Sequence, residues 1–297
     1  MNGLRVVLIT LTGQAAALLV VSYLGDALPI GDSVAVFRLQ LALLVAFGGI
    51  LIWLVRGRLP ALLALGAGSF AAAPILAGFA GWGVGAPGDY TLYQKNLYKK
   101  ELSRTLLTRE ILTLDPDFVT LQEITAHDLR YMRRLFDAYE NRLMCTEAAV
   151  VKVGLLSRFP LVPGSETCRE EERLAAAQVR MPDGTTPWLV SLHLGWPYPA
   201  GQHAEAEAIA AWLQTLDGPV MVGGDFNMVP WGSSVRMIAS AARAERAGPY
   251  FGTFPNSGPL LPLPIDHILL PRDASARAEA RPKVGSDHLG IVARFSF

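Results

Sequence analysis

The chain has 297 residues, 51% of them hydrophobic and 18% charged, and its 26 basic and 26 acidic side chains cancel. That balance excludes a disordered chain, ordinary Gly and Pro counts exclude collagen-like and mucin-like classes, and two cysteines are too few for a disulfide framework. Mean hydropathy is +0.31, high for a soluble protein, and the excess lies in the first third.

Residues 4–24 form a near-continuous apolar run that begins beside Arg5; a second run covers 34–55, with Arg38 and Gln40 near its start, and a third, without charge, covers 59–82. Each meets the length of about 20 residues that crosses about 30 Å of hydrocarbon as a helix. The expectation is three transmembrane helices. A cleavable signal peptide fits the first run poorly, because the run is long, its basic flank is one Arg, and two more runs follow. Arg5, Arg56 and Arg58 flank one side of this bundle, whereas the loop between the first two helices carries Asp26 and Asp32. The positive-inside rule then puts the N-terminus in the cytoplasm and the rest of the chain on the far side of a plasma (inner) membrane, as a multi-pass protein with an extracytoplasmic domain. Lys95, Lys99, Lys100 and Arg104 follow the last helix but belong to a folded domain, which translocates largely regardless of charge. No acidic residue and no His lies within the runs, so residues 1–82 read as an anchor that meets the lipid bilayer, not as a transport path.

A Gly-rich linker at 83–89 leads to a domain at 90–297. Four of the basic and two of the acidic residues precede residue 89, which leaves the remainder at a net charge of −2. Strand patterns fall at 91–94, 118–121, 149–156, 174–180, 187–193, 219–222, 267–270 and 290–295, with Asp183-Gly184 as a hairpin turn. Helical patterns fall at 97–114, 126–137, 201–216 and 233–246. The class is α/β, with mixed sheets flanked by helices.

Polar groups cluster where apolar runs end: Gln94-Lys95-Asn96, Gln122-Glu123, Ser191-Leu192-His193, Gly223-Gly224-Asp225-Phe226-Asn227, Asp266-His267 and Ser286-Asp287-His288. Strand ends hold side chains rigidly at a cleft, and these offer carboxylates and an amide for a hard cation, with His–Asp pairs for proton transfer. Singly, each has a plainer reading: Glu123 as a helix N-terminal acid, Asn96 as a cap, His193 as a structural histidine, Asp225 and Asn227 as an Asx turn. Their order on one chain is more specific.

In that order, and with Asp115-Pro116-Asp117-Phe118, Gly154-Leu155-Leu156-Ser157-Arg158-Phe159-Pro160 and Thr253-Phe254-Pro255 between them, residues 90–297 resemble the endonuclease/exonuclease/phosphatase superfamily of DNase I-like phosphoesterases, of which membrane-anchored bacterial members look similar. The resemblance implies a four-layer α-β-β-α sandwich, a divalent metal (Mg²⁺ or Mn²⁺) and hydrolysis of phosphodiester or phosphomonoester bonds. It places Glu123 on the metal with Asn96 and Asp287 beside it. Asp225 and Asn227 position the attacking water and the phosphate, with Asp225 or His288 taking the proton. His288 contacts the scissile phosphate, Asp266 orients His288, and His193 contacts the phosphate or helps the leaving group. Secreted nucleases of the family pair the equivalent of His193 with a Glu, for which 150–156 offers no equivalent. Val229 and Asp266-His267 depart from the inositol polyphosphate 5-phosphatase pattern. His267 reads as structural, and His127 and His203 as solvated. Cys145 and Cys168 can form one disulfide in an oxidising compartment, against the alternative of two buried thiols.

Three functions remain. A nuclease needs a basic face, and Arg130, Arg133 and Arg134 offer at most a local one. A lipid-directed, sphingomyelinase-like phosphodiesterase gains from an anchor that holds it near phospholipid head groups, with Trp196-Pro197-Tyr198 either beside substrate or as a packing turn. A non-catalytic binding module has no physical need for six polar clusters. Nothing in the sequence points to a protein partner.

Overall fold

The computed structural model describes residues 3–81, 85–98, 104–147, 150–255 and 262–297. Four helices come first: α1 (Gly3–Val21), α2 (Ile30–Ala35), α3 (Arg38–Leu54) and α4 (Arg58–Ala80). Small residues let them pack closely. A Cβ on Gly68 of α4 would lie 2.5 Å from the Ala42 carbonyl oxygen in α3, and one on Gly48 of α3 would overlap the Thr12 side chain in α1, so α3 lies between its neighbours.

Two of these helices, not the expected three, are long and apolar enough to cross a membrane: α1 with 19 residues and α4 with 23. The middle run is broken at Val36-Phe37, and α3 keeps 17 residues, about 26 Å at 1.5 Å per residue. Tertiary contacts cause the break. Trp231 Nε1 donates to the Ala35 carbonyl (2.7 Å), and Arg38 donates to Ser22 and to the Trp231 carbonyl (3.1 Å) while lying 4.0 Å over the Tyr23 ring. Arg38, whose charge requires a partner, is thus paired within the protein.

Two six-stranded mixed sheets follow. The first orders β11 (Ser275–Arg281), β12 (Gly290–Ser296), β1 (Tyr90–Asn96), β2 (Phe118–Gln122), β4 (Val150–Ser157) and β3 (Asn141–Glu147); the second orders β5 (Thr167–Arg169), β6 (Leu174–Gln178), β7 (Trp188–His193), β8 (Val220–Asp225), β10 (Asp266–Pro271) and β9 (Ala244–Arg246). β1 and β2 run parallel, as do β7 and β8, and the other pairs are antiparallel. Alternate residues of both sheets, among them Phe118, Leu155, Met221, Ile268 and Phe295, meet in a core between them. The outer face of the first sheet packs on α5 (Thr105–Leu114), α6 (Ala126–Tyr131) and α7 (Arg133–Ala138) through Leu107, Ile111 and Leu135. The outer face of the second packs on α8 (Gln202–Leu213) and α9 (Ser233–Ala241) through Ile209, Leu213 and Ile238. This layering is consistent with a DNase I-like sandwich.

Within the site-bearing face the sheets press close. A Cβ on Gly223 of β8 would overlap Thr120 Oγ1 of β2 and sit 3.2 Å from Thr120 Cβ, so only glycine fits there without a shift. The helix expected over 97–114 begins at Thr105, because Tyr98 has a φ of 58° and the buried Arg104 guanidinium takes the Leu97 and Tyr98 carbonyls (2.6 and 3.0 Å) and the Asp128 carboxylate (2.7 Å). The pattern at 126–137 divides at Met132 into α6 and α7. Cys145 and Cys168 are disulfide-bonded, with Cα atoms 5.5 Å apart. Trp82 to Val84 of the linker region, Lys99, Lys100 and Ala149 lie outside the described residues.

Candidate active site

Because β1–β2 and β7–β8 are parallel pairs, their C-terminal ends emerge together, and the antiparallel β10 and β12 contribute their N-terminal ends at the same edge. Register aligns Asn96 with Gln122, His193 with Asp225 and Asp266 with Asp225. All eight sequence-derived candidates fall at this edge.

Asp225 is the hub. Its Oδ2 accepts from Asn96 Nδ2 (2.8 Å) and lies 3.7 Å from His193 Nε2 and 3.9 Å from His288 Nε2, while its Oδ1 accepts from the Asn227 amide (2.9 Å). The Asx turn is therefore present and is also what aims Asp225. Asn227, at a φ of 45°, ties the turn down by donating Nδ2 to the Leu194 carbonyl (2.7 Å). Asn96 Nδ2 also reaches Glu123 Oε1 (3.2 Å). Glu123 has a φ of 54°, a left-handed conformation that non-glycine residues adopt at a cost of about 1–3 kcal/mol. It ends β2 abruptly and turns its carboxylate toward Asn96.

On the other flank, Asp266 Oδ2 lies 2.7 Å from His288 Nδ1, and Asp266 Oδ1 accepts from Gln94 Nε2 (2.9 Å). The backbone around His288 is fixed as well: Lys95 Nζ donates to its carbonyl (2.7 Å), Ser286 Oγ accepts from its amide (3.0 Å), and the Phe254 ring lies 5.0 Å from the imidazole. Asp287 Oδ1 is 3.9 Å from His288 Nε2.

Charge follows from this geometry. Burial alone would lower His288, but Asp266, then Asp225 and Asp287, raise it to about 10, so it is an imidazolium at neutral pH. Burial opposes ionisation of Asp266, yet the charge and hydrogen bond of His288, with help from Thr253 and Gln94, hold that carboxyl below its ordinary range. Asp225 goes the other way, raised first by burial and then by the neighbouring Asp266 charge. Lys95 is lowered by burial to about 8. His267 is pushed by burial to about 3 and donates its ring nitrogen to the Met228 carbonyl (2.8 Å), the structural role its sequence context suggested.

Ligand atoms of Asp225, Asp266 and His288 lie within 4.8 Å of one another, a group that could hold a metal. Asp266 and His288, however, already satisfy each other. Beside them, Asp287 Oδ1 is a buried oxygen with no hydrogen-bond partner, whereas Asn96 turns its Nδ2 to Glu123 and Asp225 and its Oδ1 accepts from the Tyr98 amide (2.9 Å).

Sequence reasoning assigned no role to the layer beneath. Gln94 Nε2 donates to Gln122 Oε1 (2.9 Å), Gln122 Nε2 donates to Ser191 Oγ (3.1 Å), and that hydroxyl donates to the Leu121 carbonyl (3.2 Å), joining the two sheets by buried polar bonds under the carboxylates. Thr253 Oγ1 accepts from the Asp266 amide (3.1 Å). The available signal was a glutamine in each of two apolar strands. The arginine cluster forms a groove of about 700 Å³ lined by Arg109, Arg130, Arg133 and Arg134, and none of the eight candidates lines it.

No curated protein matches the chain in sequence. Solved structures share its fold at low identity. An endonuclease/exonuclease/phosphatase from Beutenbergia cavernae is 16% identical over 70% of this chain and 71% of its own, with a TM-score of 0.55. The human Nocturnin catalytic domain is 19% identical over 74% of this chain and 98% of its own, with a TM-score of 0.55. Sphingomyelinase C from Streptomyces griseocarneus is 15% identical over 69% and 98%, with a TM-score of 0.51. The sequence profile of the Endonuclease/Exonuclease/phosphatase family matches residues 93–288, which takes in every strand-end cluster described above. The chain belongs to that family.

Proposed function

We propose that the protein is a membrane-anchored, divalent-metal-dependent phosphoesterase. The observation that carries this reading is the Asp225 hub: a carboxylate of raised pKa set between the imidazolium of the His288–Asp266 pair and Asn96, whose amide NH2 also meets Glu123. Glu123 and Asp287, with Asn96 once its amide is turned to present its oxygen, would hold a divalent ion (Mg²⁺ or Mn²⁺), which would supply positive charge that offsets the repulsion between a phosphoester and its nucleophile. Asp225 accepts the proton of the attacking water, since His288, already protonated, cannot. His288 Nε2–H donates to a phosphate oxygen and stabilises the charge that builds there. Asn227 positions the phosphate, and His193, on the opposite side of Asp225, donates to the departing oxygen. A binding module would not need two buried carboxylates and a buried cation so arranged.

Membrane anchoring rests on exposure. Only 11% of the apolar window of α1 and 28% of that of α4 are buried within the protein, far less than a core helix requires. Leu11, Leu18, Phe47, Leu63 and Phe70 lie bare on α1, α3 and α4, and lipid is the solvent that suits them. The orientation depends on α3: with Arg5, Arg56 and Arg58 all cytoplasmic, its 17 residues cross along with α1 and α4, and the residues after α4 then lie outside the cytoplasm.

Glu123→Ala and His288→Ala proteins should fold and lose metal-dependent hydrolysis of bis-(p-nitrophenyl) phosphate. Unchanged rates in both would reject the assignment. A reporter fused at the C-terminus that is active only in the cytoplasm would reject the orientation.

A further inference from the structure

The helices do not hang from the rest of the molecule by a tether; they are clamped to the loops that rim the site. The loop after β8, six residues beyond Asp225, delivers Trp231 to the Ala35 carbonyl and to Arg38. Immediately after it, the first amides of α9, at Ser233 and Ser234, donate to the buried Asp32 carboxylate (2.8 and 3.3 Å), so a residue some 200 positions earlier caps this helix. The loop after β7, downstream of His193, gives its Tyr198 carbonyl to Ser33 Oγ (2.8 Å). The loop before β10 carries Tyr250, whose amide donates to the Gly78 carbonyl near the end of α4 (2.9 Å) and whose ring meets Phe79 (5.5 Å). These are three of the loops that leave the site-bearing strand ends, and all meet the same end of the helical bundle.

The surface at that level is apolar. Trp196 and Tyr198 of the loop after β7 are 53% and 55% exposed, and Tyr23, Leu28 and Phe37 of the connections between the helices are exposed as well. Exposed aromatic and aliphatic side chains of this kind suit a head-group boundary. An apolar groove of about 360 Å³, lined by Leu39, Leu76, Phe79, Gly252 and Pro262, runs between the ends of α3 and α4 and the loop that carries Thr253, which holds the Asp266 amide.

We propose that the bundle holds the mouth of the cleft against its own bilayer, so that the substrate is a phospholipid of that membrane, its phosphodiester in the cleft and an acyl chain along the Leu39–Leu76–Phe79 groove. The inference rests on the phosphoesterase reading. In the reaction water adds across one P–O bond: its oxygen bonds phosphorus, the ester bond to one alcohol breaks, and that alcohol leaves with a proton.

The test uses the full chain in vesicles of phosphatidylethanolamine and phosphatidylglycerol with Mg²⁺. Spin labels on Trp196→Cys and, as control, Tyr131→Cys report depth by collision with oxygen and with a water-soluble nickel chelate. The label at 196 should sit at head-group level and that at 131 in water; equal aqueous exposure of the two overturns the placement whatever the activity. In the same vesicles, release of diacylglycerol with the phosphorylated head group, or of phosphatidate with the head-group alcohol, should occur from the protein's own vesicles and be at least about tenfold slower from added protein-free vesicles, because tethering raises local substrate concentration. Hydrolysis of bis-(p-nitrophenyl) phosphate and of an oligonucleotide, but of no lipid, overturns the lipid assignment and leaves the phosphoesterase intact. Loss of all hydrolysis, including that of the soluble diester, overturns both.

Discussion

Removing the charge of Asp266 while keeping its shape tests the division of labour in the site. Before metal or substrate binds, His288 titrates at about 10 against an ordinary 6.5. At about 1.4 kcal/mol per pH unit, this is on the order of 5 kcal/mol in favour of imidazolium, left after burial has worked against it. Asp266 is the largest of the opposing charges and the one in hydrogen-bond contact, 2.7 Å from Nδ1. Asp266→Asn leaves an oxygen for Nδ1–H and removes the charge. Burial, the largest single influence, is then opposed only by Asp225 and Asp287, and the pKa of the imidazole falls toward the neutral form. In that form its Nε2 is an acceptor and no longer donates to the phosphate. Loss of one such charged donor costs about 100- to 1000-fold in kcat. The assay is initial-rate hydrolysis of bis-(p-nitrophenyl) phosphate by detergent-solubilised protein at saturating Mg²⁺, from about pH 5 to about pH 10. The variant should be about 100- to 1000-fold slower than the wild type at neutral pH, with its alkaline fall shifted to lower pH. A variant with the wild-type rate and profile would refute both the cationic role of His288 and the part assigned to Asp266.

Chelation should abolish hydrolysis and Mg²⁺ or Mn²⁺ should restore it, with Glu123→Gln and Asp287→Asn each requiring at least about tenfold more metal for half-maximal rate; an unchanged requirement in a metal titration would remove these residues from the ligand set. Gly223→Ala forces a methyl into Thr120 and should destabilise by about 1–3 kcal/mol in detergent melts. Adding Thr120→Ala, which deletes a buried hydroxyl without a hydrogen-bond partner, should recover part of that loss, and a strictly additive pair would refute the clash. His267, folded with a pKa of about 3, stays neutral where the unfolded chain binds a proton below about 6.5. Stability therefore falls as pH drops through that window, by up to about 1.4 kcal/mol per pH unit, and His267→Gln should flatten the fall; parallel melting curves for the two proteins would count against it.

The candidate site was legible because its polar residues stand at the ends of apolar runs, where a side chain with no packing role is conspicuous. Asp225, Asp266, His288 and Glu123 lie at the strand-end edge for that reason. What was illegible depends on contacts between distant segments. The run at 34–55 carries Arg38 beside the break, but the helix ends there because of Trp231, almost 200 residues later, which takes the Ala35 carbonyl and binds Arg38 through its own carbonyl. The start of α5 is set by Arg104 reaching back to Leu97 and across to Asp128. Strands β3, β9 and β11 carry alternating or polar sequences whose partners supply the pairing.

The same contrast explains why the polar layer of Gln94, Gln122 and Ser191 matters. A buried amide in one strand is a liability, since each unsatisfied group costs about 1–3 kcal/mol. Gln94 Nε2 is paired only if the first sheet delivers Gln122 and the second delivers Asp266, its Oε1 having no partner, and Gln122 Nε2 is paired only if the second delivers Ser191. These bonds therefore fix the register of one sheet on the other, and Gly223, which lets the sheets close over Thr120, allows them to form. Glu123 and Asn96 belong to the first sheet, Asp225 and Asp266 to the second, so the distances on which proton transfer depends are set by this inter-sheet register and not by either sheet alone. Asp32 extends the same logic outward: its carboxylate completes α9 behind the second sheet, and thereby makes the position of the helices part of the folding of the site.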